Sequence, residues 1–544
     1  MRRLPLLLLG ALLDGVAAFA TRPRLAMTTT PRTSMSPPAQ AISDDSKKRG
    51  AVIVGAGPAG YAAALVLAKR GWSGITIIES RRSAGYFDPN LGFSYRINDR
   101  GQRFLEQFDL IPRLNEASVS ETDRELTYLP AEEPRRTISA NFGGSSSKWV
   151  GQWVLRQEFL SLLHTEAASE RWSSQIRIVY GATCVDIQRD PGQPAAPFTA
   201  LIEKGERVGG GWQPPEHIAA RLIVGADGVK SLVRGKMAEW DKETGGSGHG
   251  FDMQKSKSGS TGLKYKVMSI PPGFKLAHNS TDDDVARAEM SYVATSITKG
   301  KNALRLGILP TADRFSRRTA NIITWPSHEV WTKKTGPELF AYLQASFPQL
   351  PLSEWLTPEG CQEWVDGEGG AFPPPQHCER LQWVDPSAGD DATSGGAVLV
   401  GDAIHCFPPD LGQGVNAALE DVAVLSECLD KCDDQIGSAL RSYQQQRAPD
   451  AKAITRIMVL GYPWQYKQAP LREKLAFVNM AFRAVLSKKF PKFFDPQVSS
   501  LVGRELRYSE VLRRANRTSR NIALCFAAIA ATMVTIARVA ARVI

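Results

Sequence analysis

The chain has no paired cysteines. Its seven cysteines are scattered over 544 residues without a C-x-x-C spacing, so neither a disulfide framework nor a zinc site is indicated. Most of the seven are expected to be buried, reduced and small. The chain also lacks a basic body. The formal net charge is +10, but residues 1–50 carry eight Lys/Arg against three Asp/Glu, and residues 501–544 carry eight Arg against two Glu, which leaves 51–500 at −1. Charge confined to the two ends speaks for targeting and membrane contact, and against a nucleic-acid groove. No internal repeat is visible. What remains is an ordinary globular composition, 43% hydrophobic and 22% charged, in a chain long enough for two or three domains and a large core.

The ends read as addresses. Residues 1–18 have a basic start, a short leucine-rich run and then small residues, the plan of a signal peptide. Residues 19–48 are rich in Arg, Ser, Thr and Pro and have no acid before Asp44, as transit peptides do. The pair resembles the two-part leader of complex plastids, with Phe19 just after the cut; a plain mitochondrial or secretory leader is the alternative. At the other end "IALCFAAIAATMVTIA" (522–537) is an unbroken apolar run, flanked by Arg517 and Arg520 before and Arg538 and Arg542 after. It predicts a membrane helix over 521–540, with snorkelling arginines. A core-packing or amphipathic helix is the alternative.

"AVIVGAGPAGYAAALVLAKRGWSGITIIES" (51–80) carries the first chemistry. "AVIV" reads as a buried strand, and Gly55, Gly57 and Gly60 form G-x-G-x-x-G. An Ala/Leu helix and a second strand follow, closed by Glu79, 19 residues after Gly60. Gly55 permits the tight turn, Gly57 lets a pyrophosphate reach the backbone, Gly60 lets helix and strand pack, and Glu79 can accept from ribose hydroxyls. An acid at that place suits FAD or NAD rather than a 2′-phosphate.

Two further turns follow. "ARLIVGADGVKSLVR" (220–234) is an apolar strand ending in Asp227-Gly228, and "GDAIHCFPPDLGQGVNAALED" (401–421) places Asp402, a proline-rich loop and a helix start after the strand "GGAVLV". With the glycine fingerprint, these segments resemble the single-component, group A FAD-dependent aromatic hydroxylases. The resemblance implies FAD, with Asp227 and Asp402 at the cofactor and Asp402 on its ribitol. It implies that the loop Pro408–Gly414 passes the flavin ring. The helix start at Gly412, Gly414, Val415 and Asn416 would face the pyrimidine side, where its dipole stabilises negative charge on reduced flavin. Arg156, opening a helix in "WVLRQEFL", would touch the FAD phosphates or ribose, and His405 would be structural. "ELFAYLQASFPQLPL", "QQRAPDAKAI" and "PKFFDPQVSSLVGRELRYSEVLRR" extend the likeness over about 50–515 to the kynurenine 3-monooxygenase branch. That branch clamps its substrate's amino-acid group with an arginine, two tyrosines and an asparagine. Here Arg124 matches the arginine. Gly461 (beside Tyr462) takes the asparagine's place, and Val498 and Ile138 stand where tyrosines are expected, which implies a less polar substrate.

The expected architecture is α/β: a discontinuous Rossmann-like FAD-binding domain at 49–260 and 380–447, and an inserted antiparallel substrate sheet at 261–379, with "LRLGILP" and "NIITWP" as strands. Helices at 448–515 lead to the anchor, and 241–262 is expected as a loose loop. The chemistry the resemblance implies starts with NADPH (or NADH) reducing FAD. O2 then forms a flavin C4a-hydroperoxide that hydroxylates or epoxidises a small aromatic or fairly apolar substrate. No catalytic side-chain triad and no metal are expected. The alternatives are kynurenine hydroxylation itself, and a non-catalytic membrane-attached flavoprotein.

Overall fold

The computed structural model describes residues 50–85, 93–122, 125–139, 148–190, 197–205, 215–281, 283–387, 395–466 and 469–543. The signal-peptide and transit-like segments, and Arg124, lie outside the described residues.

Four short strands, Ala51–Val54, Ile75–Glu79, Leu222–Gly225 and Gly396–Leu399, are buried along their whole length. Strands apolar on both faces belong inside a parallel sheet covered by helices. They sit in a six-stranded sheet ordered Gln382–Trp383, Gly396–Leu399, Leu222–Gly225, Ala51–Val54, Ile75–Glu79, Ile176–Tyr180, parallel except for the Gln382–Trp383 edge. Helices α1 (Pro58–Lys69), α2 (Arg156–Ala167), α3 (Gly414–Lys431) and α4 (Ile436–Leu460) come from both halves of the chain. Their apolar faces share one core with this sheet. The three turns singled out in the sequence therefore leave the same, carboxyl edge of one sheet, where open α/β folds bind ligands.

A seven-stranded sheet stands apart, ordered Gly370–Ala371, Lys264–Ile270, Arg318–Thr324, Arg305–Ile308, Ser291–Thr295, Glu125–Pro130, Arg136–Ser139. It departs from the expected antiparallel sheet of 261–379 in two ways. Its last two strands come from 125–139, and Ser291–Thr295 pairs with Glu125–Pro130 in parallel. Hairpin-linked strands pair antiparallel, whereas a strand delivered from elsewhere in the chain is free to enter in parallel. Alternation splits the sheet cleanly. Tyr292, Ala294, Leu306, Ile308, Ala320 and Ile322 pack against a second core. Their neighbours Val293, Thr295, Arg305, Gly307, Asn321 and Ile323 face a cavity.

The stretch 241–262 is ordered rather than loose. Asp241 is buried, accepts from the Gly248 N–H at 2.9 Å and pairs with Arg380, and Ser260 is wholly buried. The expected boundary at 447/448 falls inside α4, because that helix is tied on both sides of Pro449: Arg447 to Asp421, and Asp450 to Arg507 and the Ser509 N–H. Two long helices follow, α5 (Pro470–Lys489) and α6 (Tyr508–Val543), with the short helix Val498–Val502 between them. α6 is the one helix among the described residues long and apolar enough to cross a membrane, and its most apolar window is not buried.

Candidate active site

One cavity of about 2670 Å³ runs along the carboxyl edge of the six-stranded sheet and under the seven-stranded one. Its first wall is the glycine turn. Gly55 has φ +102°, and a Cβ there would fall 2.4 Å from the Ala226 carbonyl oxygen; a Cβ on Gly60 would fall 1.9 Å from that of Gly55. Both places demand glycine. Gly57 is the opposite case: a Cβ would meet nothing within 4 Å, and the residue lines the cavity. It precedes α1 with no side-chain cap, so the first donors of that helix are left for a ligand.

Glu79 ends the neighbouring strand on the same wall. Its Oε2 accepts from the Ala56 N–H at 2.9 Å, and its Oε1 from the Arg81 N–H at 2.8 Å and Arg81 Nε at 3.0 Å. Burial alone would raise this carboxyl, but the Arg81 contacts prevail and hold it below the ordinary range. The Arg81 guanidinium also donates to the Ala56 carbonyl oxygen at 2.9 Å. Arg81 thus clamps acid and turn together, a role the sequence pattern does not announce.

Asp227 and Asp402 line the same cavity. Asp227 Oδ2 accepts from the Val233 N–H at 3.2 Å, while Oδ1 is buried without a partner. Burial pushes its pKa up. The Asp402 side chain is exposed to the cavity, and the protein crowded around it raises its pKa too. Behind it, wholly buried Asp421 accepts from the Gly401 N–H at 2.7 Å, from His405 Nε2 at 3.0 Å and from Arg447 Nε at 2.5 Å. His405 is therefore spent inside the protein, holding the turn that presents Asp402. The loop then passes Gly412, at φ +59°, into α3, where Ala417 is the first residue to donate back, to Gln413 at 2.8 Å. The N–H groups of Gly414, Val415 and Asn416 precede that bond; Gly412, Gly414 and Val415 line the cavity. The Asn416 side chain does not. It accepts from the Asn98 N–H at 2.9 Å and donates to the carbonyls of Arg96 at 2.7 Å and Gly412 at 2.9 Å, fixing the loop. Arg156 opens α2 and lines the cavity near Tyr95.

An unpartnered carboxylate oxygen, an open Gly57 and two uncapped helix starts on one wall fit a dinucleotide whose pyrophosphate and hydroxyls supply the missing partners. Residues 49–258 and 385–457 match the family described as FAD binding domain. The chain belongs to that family. FAD is the cofactor that match supports, and this wall is the place that would hold it. The chain is 26% identical over 483 residues to kynurenine 3-monooxygenase of Salinispora arenicola, covering 86% of this chain and 91% of that one. It is 25% identical over 479 residues to the enzyme of that name from Xanthomonas oryzae pv. oryzae, covering 86% and 90%. Among solved structures, aklavinone-11 hydroxylase with FAD and aklavinone superposes with a TM-score of 0.54 at 17% identity, covering 78% of this chain and 70% of that one, a likeness of fold. Family and relatives place the chain among FAD-dependent monooxygenases, as the motifs implied.

Beyond the FAD wall the cavity becomes a chamber. Leu126, Tyr128, Val293, Ile323 and Phe372 line it from the sheet side, and Tyr462, Tyr466, Phe477 and Met480 from the C-terminal side. Gly461 and Val498, the sequence matches to the clamp, do not line it: Gly461 ends α4 against Leu411, and Val498 lies in a C-terminal core. Tyr462 and Ile138 do. Two polar groups in the chamber were not legible from the sequence. Arg305 donates from Nη1 to the Gln465 carbonyl oxygen at 3.3 Å and has no carboxylate within ion-pair distance among the described residues. Burial draws its pKa below the ordinary range. Asp410, on the flavin loop, accepts from Ser260 Oγ at 2.6 Å on Oδ2, and its Oδ1 is buried without a partner. Burial pushes it up to about 6, against the opposing pull of Ser260 and Tyr466.

Proposed function

We propose that the protein hydroxylates a small aromatic substrate that carries one anionic group, consuming NAD(P)H and O2, with NADPH the expected donor. Gly55, Gly57, Gly60, Glu79, Arg156, Asp227, Asp402 and the α3 start at Gly412–Asn416 would hold FAD. When bound, FAD supplies the electron transfer and the oxygen activation. The chain supplies position and dryness. The α3 start would place its positive end toward the ring, and the apolar chamber side chains Leu126, Val293, Ile323 and Phe372 would keep water from the reacting centre.

The observation that carries the substrate class is Arg305. A guanidinium in the chamber with one carbonyl as its hydrogen-bond partner, and Glu473 acting on it only from beyond ion-pair distance, is incompletely compensated, at a cost in free energy. An anionic substrate group beside it removes that cost. The Tyr462 hydroxyl, facing the chamber from the C-terminal side near Glu473, is a second polar group within reach of such a substrate. This reading keeps the chamber mostly apolar, as the missing clamp suggested, and restores one charged contact on a different strand. Kynurenine 3-hydroxylation is the second reading, supported by the relatives' names and by that same guanidinium. The C-terminal helix α6 supports membrane association. The plastid address rests on the leader sequence alone.

The test is to purify the full chain in detergent, record the flavin spectrum, and screen aromatic acids, kynurenine among them, beside their neutral amides. NADPH oxidation coupled to a hydroxylated product, with acids preferred to amides, is the expected result. Bound flavin that no aromatic compound stimulates would leave a non-catalytic flavoprotein.

A further inference from the structure

α5 is a twenty-residue helix none of whose residues from Leu471 to Lys489 is buried. Apart from Phe477 (53% exposed), which lines the cavity, its exposed apolar residues are nevertheless not scattered. Leu471 (72% exposed), Leu475 (59%), Val478 (66%), Phe482 (38%) and Val485 (50%) recur at spacings of four, three, four and three. At about 100° per residue they fall in one stripe roughly 80° wide. Glu473, Phe477, Met480 and Ser487, which line the cavity, fall on the opposite side. One helix thus walls the chamber on one side and offers unpartnered leucine, valine and phenylalanine on the other. A stripe of this kind marks a binding face.

The neighbourhood says what covers it. The Phe482 ring lies 6.4 Å from that of Phe526, inside the apolar run of α6. Arg483 Nη2 donates to Ser519 Oγ at 3.0 Å, one turn before that run begins. The stripe therefore continues onto the exposed apolar surface of α6, at the level where α6 would enter a membrane. α5 also carries Arg472, Lys474, Arg483, Lys488 and Lys489 against Glu473 alone. Basic residues flanking an apolar face suit an anionic lipid surface. The four–three spacing also fits a helix pair, but two copies of so basic a helix would repel.

We propose that α5 lies in the interfacial layer of the membrane that α6 enters, its Leu471–Val485 stripe among the acyl chains and its other face closing the substrate chamber. The chamber wall is then a lipid-facing helix held lightly by the rest of the protein, and an amphiphilic aromatic substrate would reach it along the bilayer surface. This rests on α6 being an anchor, and the experiment separates the two.

Single cysteines are introduced as L475C, V478C, M533C (on α6) and K242C (on the FAD domain) in the full chain, with C432S and C525A removing the two incompletely buried thiols. Each is labelled with an environment-sensitive fluorophore and reconstituted, FAD-loaded, into vesicles of phosphatidylcholine and phosphatidylglycerol with brominated acyl chains. The labels at 475 and 478 are expected to lose about half their emission, as the label at 533 does, while that at 242 keeps its own. Quenching at 533 but not at 475 and 478 would overturn the proposal and leave the anchor standing. Quenching at none would end both. Pyrene excimers at 478 without quenching would assign the stripe to a second copy, which also overturns it.

Discussion

Replacing Asp410 by Asn probes the loop between the chamber and the proposed flavin position while leaving every residue assigned to FAD in place. The folded carboxyl titrates at about 6 instead of 3.8, because it is buried against Ser260 and Tyr466 with one oxygen unpartnered. A raised acid holds its proton more tightly in the folded state. Its stabilising contribution is therefore fully present below pH 4 and is lost as pH rises from 4 to 6. Two pKa units at about 1.4 kcal/mol each set a ceiling of about 3 kcal/mol for the cost above pH 6. Asp410→Asn should thus match the wild type at pH 4 and exceed it by about 2 kcal/mol at pH 7.5. For a chain of this size that is a rise of about 2 °C in Tm. The assay is thermal unfolding of the FAD-free protein by fluorimetry, read as the difference between variant and wild type from pH 4 to 8. The remaining titrating groups, including raised Asp227 and Asp402 and lowered Glu79 and Asp421, are common to both proteins and cancel. Parallel curves across pH 4 to 7 would refute the reasoning, and would mean that the second oxygen is hydrated or paired in solution.

Arg305→Met should raise KM for an acidic aromatic substrate about a hundredfold with less effect on kcat, and Arg305→Lys should recover part of it; steady-state kinetics on acid and amide pairs decide. Gly57→Ala should leave the Tm of the FAD-free protein within 1 °C or so while weakening FAD, because its Cβ enters only the cavity; flavin titration checks it. Gly60→Ala should lower the Tm itself, since its Cβ meets a backbone oxygen at 1.9 Å. Arg447→Met leaves buried Asp421 without its guanidinium, held only by the Gly401 N–H and His405, and should cost about 3–5 kcal/mol, whereas adding Asp421→Leu should recover part of the loss; chemical denaturation of wild type, both single variants and the double variant gives the coupling. Truncation after residue 520 should leave a folded flavoprotein, and truncation after residue 505 should not, as flavin content on purification will show.

The parts of the site legible in the sequence are those written in consecutive residues. Strand, glycine turn, helix, strand and Glu79 lie within thirty residues, and each glycine's duty follows from local sterics. The Asp227 and Asp402 turns are also consecutive stretches, but their roles come from the family resemblance and not from local sterics. What stayed hidden needs long-range placement. Alternation puts Arg305 on one face with Gly307, but only the folded sheet shows that this face is the chamber. Asn416 is adjacent to cavity residues, yet its side chain turns to Asn98, 318 positions away. The sheet's parallel partner at 125–130 could not be read from 261–379, since nothing in a strand's own pattern names its neighbour.

The 408–414 loop and the C-terminal helix α6 are one mechanical unit. α6 begins at Tyr508, whose hydroxyl donates to Gln413 Oε1 at 3.0 Å, inside the loop between Gly412 and Gly414. Asn98, whose backbone N–H anchors Asn416, donates from Nδ2 to the same Gln413 oxygen at 3.2 Å. The guanidiniums of Arg100 and Arg447 lie 4.2 and 5.5 Å from the Tyr508 ring, and Arg447 returns to Asp421 behind Asp402. Every link in this chain is buried, so none is screened by salt as a surface pair would be. A displacement at the base of α6 therefore falls on the loop that would face the flavin, before it reaches the sheet. A helix long and apolar enough to cross a membrane thus starts at the candidate active site rather than at the end of a tether. The base of α6 lies beside the loop that would face the flavin, with α5 lining the same cavity.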